Sequence, residues 1–273
     1  MRLAFLSDIH GNLPAFEAAL EHLARQQVDR LVIGGDIVVG SPDSAACWQR
    51  AQSLGCPILR GNQERYLFHF SDPKAPALWR TPQFAPVQWA LAEFGPQQLQ
   101  QMSRLPLTLR LPEAPDLLLV HASARTDHDG IYPYTPEEQL VPMFAGEKAA
   151  LIVRGHNHLP FLRQWEGGLI ATAGSVGLAL DGNPTAQYLI AEQRASGWHT
   201  IHHSVPYDQE ANLRRLAESG YLEATGSLGR LFLRELETAT HVVVPFLRAY
   251  RRWKQESPLS LDQAVERFLA QGR

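Results

Sequence analysis

Residues 1–12 of the chain read MRLAFLSDIHGN, and this stretch sets a pattern that recurs along the sequence. The apolar run at residues 3–6 predicts a buried strand, and residues 7–12 predict a polar loop at its carboxyl end. In open α/β sheets the ligand site lies outside the carboxyl ends of the strands. Asp8 and His10 are two residues apart, so in extended backbone their side chains project to the same side and suit a transition metal. The alternative is an aspartate that caps the next helix beside a surface histidine.

The same pattern occurs four more times. Each of these apolar runs ends in residues that can bind metals, in most cases beside a glycine that lets the backbone approach closely. Residues 31–33 precede Gly34, Gly35 and Asp36; residues 57–60 precede Gly61, Asn62, Gln63 and Glu64; residues 117–120 precede His121; and residues 151–154 precede Gly155, His156, Asn157 and His158. Such a series is improbable by chance, and it predicts a metal site.

The composition of the whole chain limits the classes of function. Its 273 residues are 45% hydrophobic and 19% charged, which suits one large domain or a core with an appended cap. The net charge of −3, with no long basic block, gives no support for stable binding to long nucleic acids. No apolar run approaches the roughly 20 residues that span a bilayer, so no membrane association is expected.

The cysteines and the position of the first strand bear on the compartment. Cys47 and Cys56 are predicted to be reduced and buried, since two cysteines do not imply a disulfide framework. The candidate ligand Asp8 comes too early for a signal peptide to precede it. Together these observations predict a cytoplasmic protein.

The order of predicted elements indicates parallel strands with helices on the faces of a sheet. Residues 13–27 and 44–54 have helical spacing, and they alternate with strands at residues 3–6, 29–36 and 56–60. Further elements are a strand pair at residues 107–111 and 116–121, a helix at residues 135–144, and strands at residues 151–154, 161–165, 168–172, 186–191 and 199–205.

Two helical regions lie outside this α/β pattern. At residues 65–106, aromatic residues are scattered among prolines, which predicts short inserted helices that form either a cap over the site or a layer covering the sheet edge. Beyond residue 207, amphipathic helices are predicted at residues 210–219 and 228–254, with a glycine-rich break at residues 220–229. This tail could pack on the core, on the cap or on a second subunit, which would make a homo-oligomer.

The ordered motifs resemble those of the calcineurin-like metallophosphoesterase superfamily. They are Asp8-Ile9-His10, Gly35-Asp36, Gly61-Asn62, His121 and Gly155-His156-Asn157-His158, and the resemblance covers roughly residues 1–205. The opening at residues 8–12 and the turn at residues 174–177 look most like the small bacterial and archaeal phosphodiesterase branch. That branch includes proteins associated with diadenosine tetraphosphate or cyclic-nucleotide hydrolysis.

The resemblance implies an α/β fold, the four-layer α/β/β/α metallophosphoesterase sandwich. Residues 1–205 would form the metallophosphoesterase core, with a helical cap-like insertion at about residues 65–106. Residues 206–273 would form a helical C-terminal extension.

The resemblance also implies a dinuclear metal centre. Carried over residue by residue, it assigns Asp8, His10 and His158 to one metal and Asn62, His121 and His156 to the second, with Asp36 bridging both. Two divalent metal ions are implied, with Mn²⁺ favoured and Fe, Zn²⁺ or Ni²⁺ as alternatives, because histidine, carboxylate and amide oxygen together suit these ions better than Ca²⁺. Such a pair can hold a bridging hydroxide and clamp phosphate oxygens for in-line attack.

One position departs from the family pattern. The family motif usually reads Gly-Asn-His, and here it reads Gly61-Asn62-Gln63, which puts glutamine where the resemblance implies a catalytic histidine. Glutamine can donate a hydrogen bond but cannot give up a proton to a leaving group. General acid catalysis is worth roughly 10²–10⁴-fold, so its loss affects poor leaving groups most. We therefore expect diesters or anhydrides with good leaving groups to be better substrates than alkyl monoesters.

Other residues are candidates for contact with substrate. Asn12 and Arg60 flank ligands and could bind the phosphate, although Asn12 could equally cap the following helix. His128, in the loop after His121, could replace the missing acid, as could His202 or His203, although exposed or core histidines are the simpler interpretation. Glu64 could orient a metal ligand from behind. Asp36, Asn62 and Gln63 are the candidate catalytic residues.

The sequence thus favours a metal-dependent phosphoric ester hydrolase acting on a small phosphate ester or nucleotide, and more on diesters than on monoesters. A binding scaffold is the competing class, because a retromer subunit shares the fold and lacks the catalytic histidine. A scaffold has no reason to keep all seven metal ligands, and this chain has them. A phosphoprotein phosphatase is a third alternative, which an open groove would favour.

Overall fold

The computed structural model describes residues 1–166, 168–256 and 258–271, and its strands form two β-sheets. The strands in chain order are β1 (Arg2–Leu6), β2 (Arg30–Ile33), β3 (Thr108–Leu111), β4 (Ala114–Val120), β5 (Leu151–Arg154), β6 (Phe161–Trp165), β7 (Gly168–Thr172), β8 (Ala186–Arg194) and β9 (Gly197–Val205). The first sheet has the order β2-β1-β8-β9 and the second has the order β3-β4-β5-β7-β6. Strands β1 and β2 are parallel, as are β4, β5 and β7, so their carboxyl ends meet at common edges.

The predicted strand at residues 56–60 is reduced to a single bridge. Ile58 pairs with Ile33 in parallel, through hydrogen bonds from Ile33 N to Pro57 O (3.0 Å) and from Leu59 N to Ile33 O (2.8 Å). Pro57 has no N–H to donate, and the chain turns into a helix at Asn62, so the pairing ends after these two bonds. The expected β-α-β-α-β order is therefore kept in space, although the third segment is too short to form a strand.

The helices in chain order are α1 (Leu13–Leu23), α2 (Ser44–Ser53), α3 (Asn62–His69), α4 (Ala85–Leu91), α5 (Pro96–Ser103), α6 (Glu137–Leu140), α7 (Gln209–Glu218), α8 (Tyr221–Thr238), α9 (Val243–Glu256) and α10 (Leu261–Leu269). Three 3₁₀ turns add residues Ala77–Arg80, Pro82–Phe84 and Val141–Met143. The helix predicted at residues 135–144 is thus a single α-turn followed by a 3₁₀ turn, because Pro142 cannot donate a helical hydrogen bond.

The buried residues form the layers of the predicted four-layer sandwich. Alternate side chains of β1 divide between two cores: Leu3 and Phe5 pack between the sheets, while Ala4 and Leu6 pack under the helices. Leu119 and Val153 of the second sheet meet Phe5 in the central core. On the outer face of the second sheet, Leu118, Ile152 and Phe144 belong to a third core, covered by residues 122–144.

The inserted helices pack as part of the layer on the first sheet. Leu67, Val87, Ala90, Phe94 and Met102 are buried in the same core as Phe16 and Trp48 of α1 and α2. This packing favours the interpretation as a helical layer over the interpretation as a cap. Both cysteines are free, with Cys47 buried and Cys56 half-buried.

The C-terminal helices differ from their predicted bounds. The glycine-rich break is only a kink at Gly226, where φ is 56° and ψ is −131° inside α8. The predicted helix at residues 228–254 is instead divided at Ala239, which has a φ of 50° and ends α8. Helix α8 packs against α4, and the Tyr221 hydroxyl donates to Gly40 O at 3.1 Å, so the tail packs on the core and on the inserted helices.

A boundary near residue 205 stays a prediction, and Ser257, Gly272 and Arg273 of the proposed extension lie outside the described residues. Within the described chain, no helix has both the length and the hydropathy needed to cross a bilayer.

The central core gives a direct test of the two-sheet arrangement. Leu119 and Leu162 both lie in the second sheet, but Leu119 is fully buried between the sheets and Leu162 is 49% exposed. We expect Leu119→Ala to lower the free energy of unfolding by about 2–5 kcal/mol and Leu162→Ala to lower it by less than about 1 kcal/mol. Urea denaturation of the two variants measures the difference, and equal losses would contradict this placement of the core.

Candidate metal centre

Backbone hydrogen bonds join the loops that follow β1 and β2. The N–H groups of Asp8, His10 and Gly11 donate to the carbonyl oxygens of Gly35, Asp36 and Ile37, at 3.0, 3.0 and 2.9 Å. On the other side, Val176 N and Gly177 N donate to Ser7 O and Asp8 O, at 3.0 and 2.9 Å. The loop that carries Asp8 and His10 is therefore fixed on both flanks.

Five of the seven predicted ligands have left-handed backbone. The φ angles of Asp8, His10, Asp36, His156 and His158 are 59°, 52°, 52°, 72° and 59°. This conformation is uncommon for residues other than glycine and usually persists only where the surroundings enforce it, often at functional sites. Its concentration on predicted ligands supports the interpretation of these loops as a functional site, and nothing in the sequence pattern predicted it.

The first group of ligand atoms comprises Asp8, His10 and His158. His158 Nε2 lies 3.2 Å from Asp8 Oδ1 and 3.1 Å from His10 Nε2. His10 Nε2 lies 3.9 Å from Asp8 Oδ1. The three residues are at least 93% buried, since their exposed fractions are 0%, 3% and 7%.

The second group comprises Asp36, His121 and His156, with Asn62 beside them. His121 Nε2 lies 3.4 Å from Asp36 Oδ2 and 3.3 Å from Asn62 Oδ1. Asn62 Oδ1 also lies 2.9 Å from His156 Nδ1 and 3.3 Å from Asp36 Oδ2. Asp36 also links this group to the first, because its Oδ2 lies 3.9 Å from His10 Nε2.

Three of the histidines are oriented by backbone carbonyl groups. Nδ1 of His10 lies 2.7 Å from Val39 O, Nδ1 of His121 lies 2.8 Å from Gly34 O, and Nδ1 of His158 lies 2.6 Å from Leu178 O. A carbonyl can only accept, so each Nδ1 carries a hydrogen and Nε2 is the atom that each ring would present to a metal.

The donor set fits divalent cations. In this tautomer the Nε2 lone pairs of His10 and His158 face each other at 3.1 Å, which a shared cation would stabilise. The Asn62 amide oxygen faces His156 Nδ1 and Asp36 Oδ2, which are also acceptors. Turning the amide would let its nitrogen donate to both, but the oxygen is the atom that a metal shared with those two groups requires.

Close packing beside the ligands requires glycine at two positions. A Cβ on Gly155 would lie 2.4 Å from Asp8 Oδ2 and 2.1 Å from Ser7 Oγ. A Cβ on Gly61 would lie 2.2 Å from Asp36 Oδ1. These glycines were predicted to permit close approach, and the geometry shows which carboxylates they approach.

Glu64 lies behind the ligands and is fully buried. Its carboxylate accepts hydrogen bonds from the backbone N–H groups of Asp36 (2.9 Å), Ile37 (2.8 Å) and Gly61 (2.9 Å). Burial and the charge of Asp36 raise the pKa of Glu64 to about 7. Glu64 thus joins the loop after β2 to the start of α3.

The charges of the site depend strongly on one another. Burial disfavours charge on Asp8, but His158 outweighs it and holds the pKa of Asp8 well below its ordinary value. Burial also opposes charge on His121, yet Asp36 raises the pKa of His121 to about 9. Burial lowers the pKa of His156 to about 3, and His121 adds to that effect. A metal that binds here must displace the proton of His121.

Arg154, the last residue of β5, is fully buried and holds the loop after β4 in place. Its Nε donates to Ala122 O at 2.6 Å, its Nη2 to Asp129 O at 3.0 Å and its Nη1 to Thr172 Oγ1 at 3.1 Å. Burial lowers the pKa of Arg154 to about 10, so its guanidinium remains charged at neutral pH.

The ligand groups lie at the floor of a cavity of about 530 Å³. His10, Asp36, Asn62, His156 and His158 line it, whereas Asp8 and His121 lie beneath the surface with no exposure. The other lining residues in the described chain are Gln63, His128, Gly130, Tyr132, Asn157, Leu178, Leu180, Phe232, Glu235, His241, Val243, Val244 and Arg248. Residues 65–106 are not among them.

The predicted substrate-binding residues occupy three different environments. Asn12 is buried and caps α1, since its Oδ1 accepts from Ala15 N at 3.2 Å, so the capping interpretation is the one that the structure supports. Arg60 is paired with the buried Asp127, with Nε 3.2 Å from its Oδ2, and does not line the cavity. His128 lines the cavity, with its side chain 61% exposed.

The other candidate histidines lie away from the cavity. His202 Nε2 contacts Thr172 O at 2.8 Å, and the His203 ring stacks on Tyr188. Neither residue is among those lining the cavity in the described ranges.

Sequence reasoning missed the cavity wall formed by the tail. Phe232, Glu235, His241, Val243 and Arg248 contribute to it. The amphipathic pattern indicated that one face of these helices is buried, but no local signal indicated that the helices border the metal groups.

Comparison with known proteins finds a matching family model and a solved structure with a similar fold. Residues 1–196 match the model of a family described as the calcineurin-like phosphoesterase superfamily domain. The fold is similar to that of a metallophosphoesterase from Sphaerobacter thermophilus, with a TM-score of 0.70 and 24% identity over 88% of this chain and 99% of that one.

Two curated proteins also show similarity. An uncharacterized protein of Methanocaldococcus jannaschii is 24% identical over 252 residues, which is 85% of this chain and 97% of that protein. A symmetrical bis(5'-nucleosyl)-tetraphosphatase of Chromohalobacter salexigens is 32% identical over 120 residues, which is 43% of each chain.

Glu64 gives a prediction for metal binding. Glu64→Ala removes the acceptor of three buried N–H groups, so we expect metal affinity to fall by about 10–100-fold and stability to fall with it. Glu93 is the matched control, because it also accepts a backbone N–H, from Ala45 at 2.7 Å, but lies outside the ligand groups. Zn²⁺ titration against a competing chelator measures both variants, and an unchanged affinity in Glu64→Ala would refute this role.

His121 predicts a pH dependence of metal binding. Its folded pKa of about 9 means that the imidazole carries a proton at neutral pH, and a protonated ring has no free lone pair. Apparent affinity for Zn²⁺ should therefore rise roughly tenfold per pH unit until pH 9. Chelator competition at pH 6.5, 7.5 and 8.5 measures the slope. His121→Gln should make the slope shallower, with the remainder due to His158, whose pKa Asp8 also raises, and His202→Gln should leave it unchanged. A flat slope in the unmodified protein would contradict the prediction.

Proposed function

The chain belongs to the calcineurin-like phosphoesterase superfamily, and on that premise we propose that it is a dinuclear metal-dependent enzyme that hydrolyses phosphodiester or nucleotide-type substrates. The observation that carries the proposal is the position of Asp36 between the two groups of ligand atoms. Its Oδ2 is 3.9 Å from His10 Nε2 and 3.4 Å from His121 Nε2. One carboxylate that serves both groups is the arrangement that a pair of metals requires.

The seven proposed ligands can be assigned to two metals. Asp8, His10 and His158 would hold one metal, Asn62, His121 and His156 the second, and Asp36 both. When bound, two divalent metals provide an activated water and neutralise the charge of a phosphate group. Mn²⁺ is the ion that we favour, with Fe, Zn²⁺ or Ni²⁺ as alternatives. Glu64 and the paired loops would keep the ligands in place while substrate binds.

Gln63 supports a preference for good leaving groups. It lines the cavity beside Asn62, and its Oε1 is buried without a hydrogen-bond partner in the described chain. Its Nε2 can donate a hydrogen bond to a phosphate oxygen, but the amide cannot supply a proton to a departing alkoxide. His128 lines the same cavity and is our candidate for an alternative acid.

The cavity supports a small substrate. A volume of about 530 Å³ lies in the range of small-molecule sites, and Tyr132 and Phe232 provide aromatic surface for a nucleoside or aryl group. A pocket of this size with aromatic side chains in its wall suits a nucleotide better than a phosphoprotein. The net charge of −3 also favours a small ligand over a nucleic acid. The tetraphosphatase similarity supports the same substrate class.

A scaffold without chemistry is the second candidate. The departure at Gln63 favours it, because the family's catalytic histidine is missing there. The seven ligand-type residues gathered below one cavity favour the enzyme, since a scaffold gains nothing from burying two carboxylates among histidines.

A cytoplasmic location and a homo-oligomer formed through the tail remain part of the proposal.

The decisive test compares bis-p-nitrophenyl phosphate with p-nitrophenyl phosphate in the presence of Mn²⁺. We expect faster turnover of the diester, with loss of at least about 10²-fold in Asp36→Asn because the shared carboxylate is removed. Comparable or faster turnover of the monoester would support the assignment as an enzyme but refute the leaving-group argument. Absence of both turnover and bound metal would favour the scaffold.

Restoring the family histidine tests the role of Gln63. Gln63→His should raise turnover of a poor alkyl leaving group by about 10–10³-fold, because the imidazole can supply a proton, and should change p-nitrophenyl esters little. The ratio of the two rates is the measurement. Gln63→Asn is the control that keeps an amide, and an unchanged ratio in Gln63→His would refute the explanation.

A further inference from the structure

The C-terminal helices form the wall of the cavity that faces the metal groups. Helix α8 contributes Phe232 and Glu235, the connector to α9 contributes His241, and α9 contributes Val244 and Arg248. Together they form a surface of apolar side chains, one carboxylate and one imidazole, with Arg248 as its strongly basic group.

Arg248 differs from the other arginines of the tail. It is the one lysine or arginine lining the cavity in the part of the chain that the structure describes. Arg215 and Arg234 pair with Asp43 and Glu237. For Arg248, as for Arg251 and Arg252, residues 1–166, 168–256 and 258–271 provide neither an ion pair nor a hydrogen bond, and of these three arginines Arg248 alone lines the cavity. Its guanidinium is therefore free to bind a ligand.

The position of Arg248 is fixed by the packing of α9. The Glu235 carboxylate accepts from Val242 N and Val243 N, at 2.8 Å each, and so holds the first turn of the helix. Phe246 and Tyr250, on either side of Arg248, are buried in the core of the tail. The helix is thus anchored on one face while Arg248 borders the cavity.

The charges around Arg248 favour an anion. Burial lowers the pKa of the neighbouring His241, and His158 and Arg248 lower it further. In either tautomer or protonation state this ring has an N–H that can donate to a ligand. Of the carboxylates lining the cavity, Glu235 accepts the N–H groups of Val242 and Val243 at its Oε1, and Asp36 lies at the metal groups. The guanidinium can present two parallel N–H groups to a phosphate.

We propose that Arg248, assisted by His241, binds a second phosphate group of the substrate, so that the tail selects organic phosphates that carry two linked phosphates. This inference rests on the proposed function, because the first phosphate is assumed to bind at the metal groups. Phe232, Val243 and Val244 form an apolar part of the wall, which would contact the apolar part of the ligand.

The test is a binding measurement on the full chain, with Mn²⁺ present. Isothermal titration calorimetry with α,β-methylene-ADP and with AMP compares a ligand of two linked phosphates with a ligand of one, and neither requires turnover. Arg248→Met should weaken the methylene-ADP complex about tenfold and the AMP complex less than about twofold, since it removes a charge-assisted hydrogen bond to the second phosphate alone. Arg248→Lys, which keeps the charge without the fork, should lie between.

Arg252→Met is the matched control, because Arg252 lies one turn further along α9 and does not line the cavity. It should change neither affinity. An equal loss of both ligands in Arg248→Met, no loss, or the same selective loss in Arg252→Met would overturn the proposal. Diester hydrolysis with no selective loss would refute this subsite alone. A selective loss in a protein that hydrolyses nothing would refute the proposed function and keep the subsite.

Discussion

Burial of many acceptor atoms in one small volume is the constraint on which this structure depends. Lone pairs from carboxylates, imidazoles and an amide converge where almost no water reaches, and such an arrangement is unfavourable without cations or protons among them. The backbone supplies the rigidity: Glu64 holds three N–H groups, Arg154 holds carbonyl oxygens of the loop after β4, and three carbonyls fix the histidine tautomers. The left-handed ligand residues persist because these contacts determine them from several sides.

Much of this arrangement could be predicted from sequence because its signals are local. An apolar run that ends in Asp8 or His121 indicates both a buried strand and the loop at its carboxyl end, and parallel strands bring such ends together. The predicted strand at residues 56–60 forms only a single bridge at Ile58, because Pro57 and the early start of α3 limit its pairing. The apolar run in the sequence does not reveal this limit. The predicted roles of Asn12 and Arg60 depended on sequence proximity to ligands, whereas helix capping and the pairing with Asp127 decide where these side chains point.

The wall of the cavity could not be predicted for a different physical reason. Amphipathic spacing in residues 228–254 predicts that one face is buried, but it is silent on which surface covers that face. Two contacts determine where the C-terminal helices pack: the hydrogen bond from the Tyr221 hydroxyl to Gly40 O, in the loop after β2, and the packing of α8 against α4. Both join residues far apart in the chain. The position of Arg248 follows from that docking. The inserted helices, conversely, lie in the layer on the first sheet and leave the cavity to the tail.

The division of the cavity between two parts of the chain has an evolutionary consequence. The ligand groups on the floor come from loops between residues 8 and 158, whereas the facing wall comes from residues 232–248, with Leu178 and Leu180 as the remaining lining residues of the described chain. Substitutions in the connector around His241 would therefore alter which molecules fit while the metal ligands below stay unchanged. In a lineage of such proteins, recognition would evolve through one short segment, independently of the loops that carry the ligands.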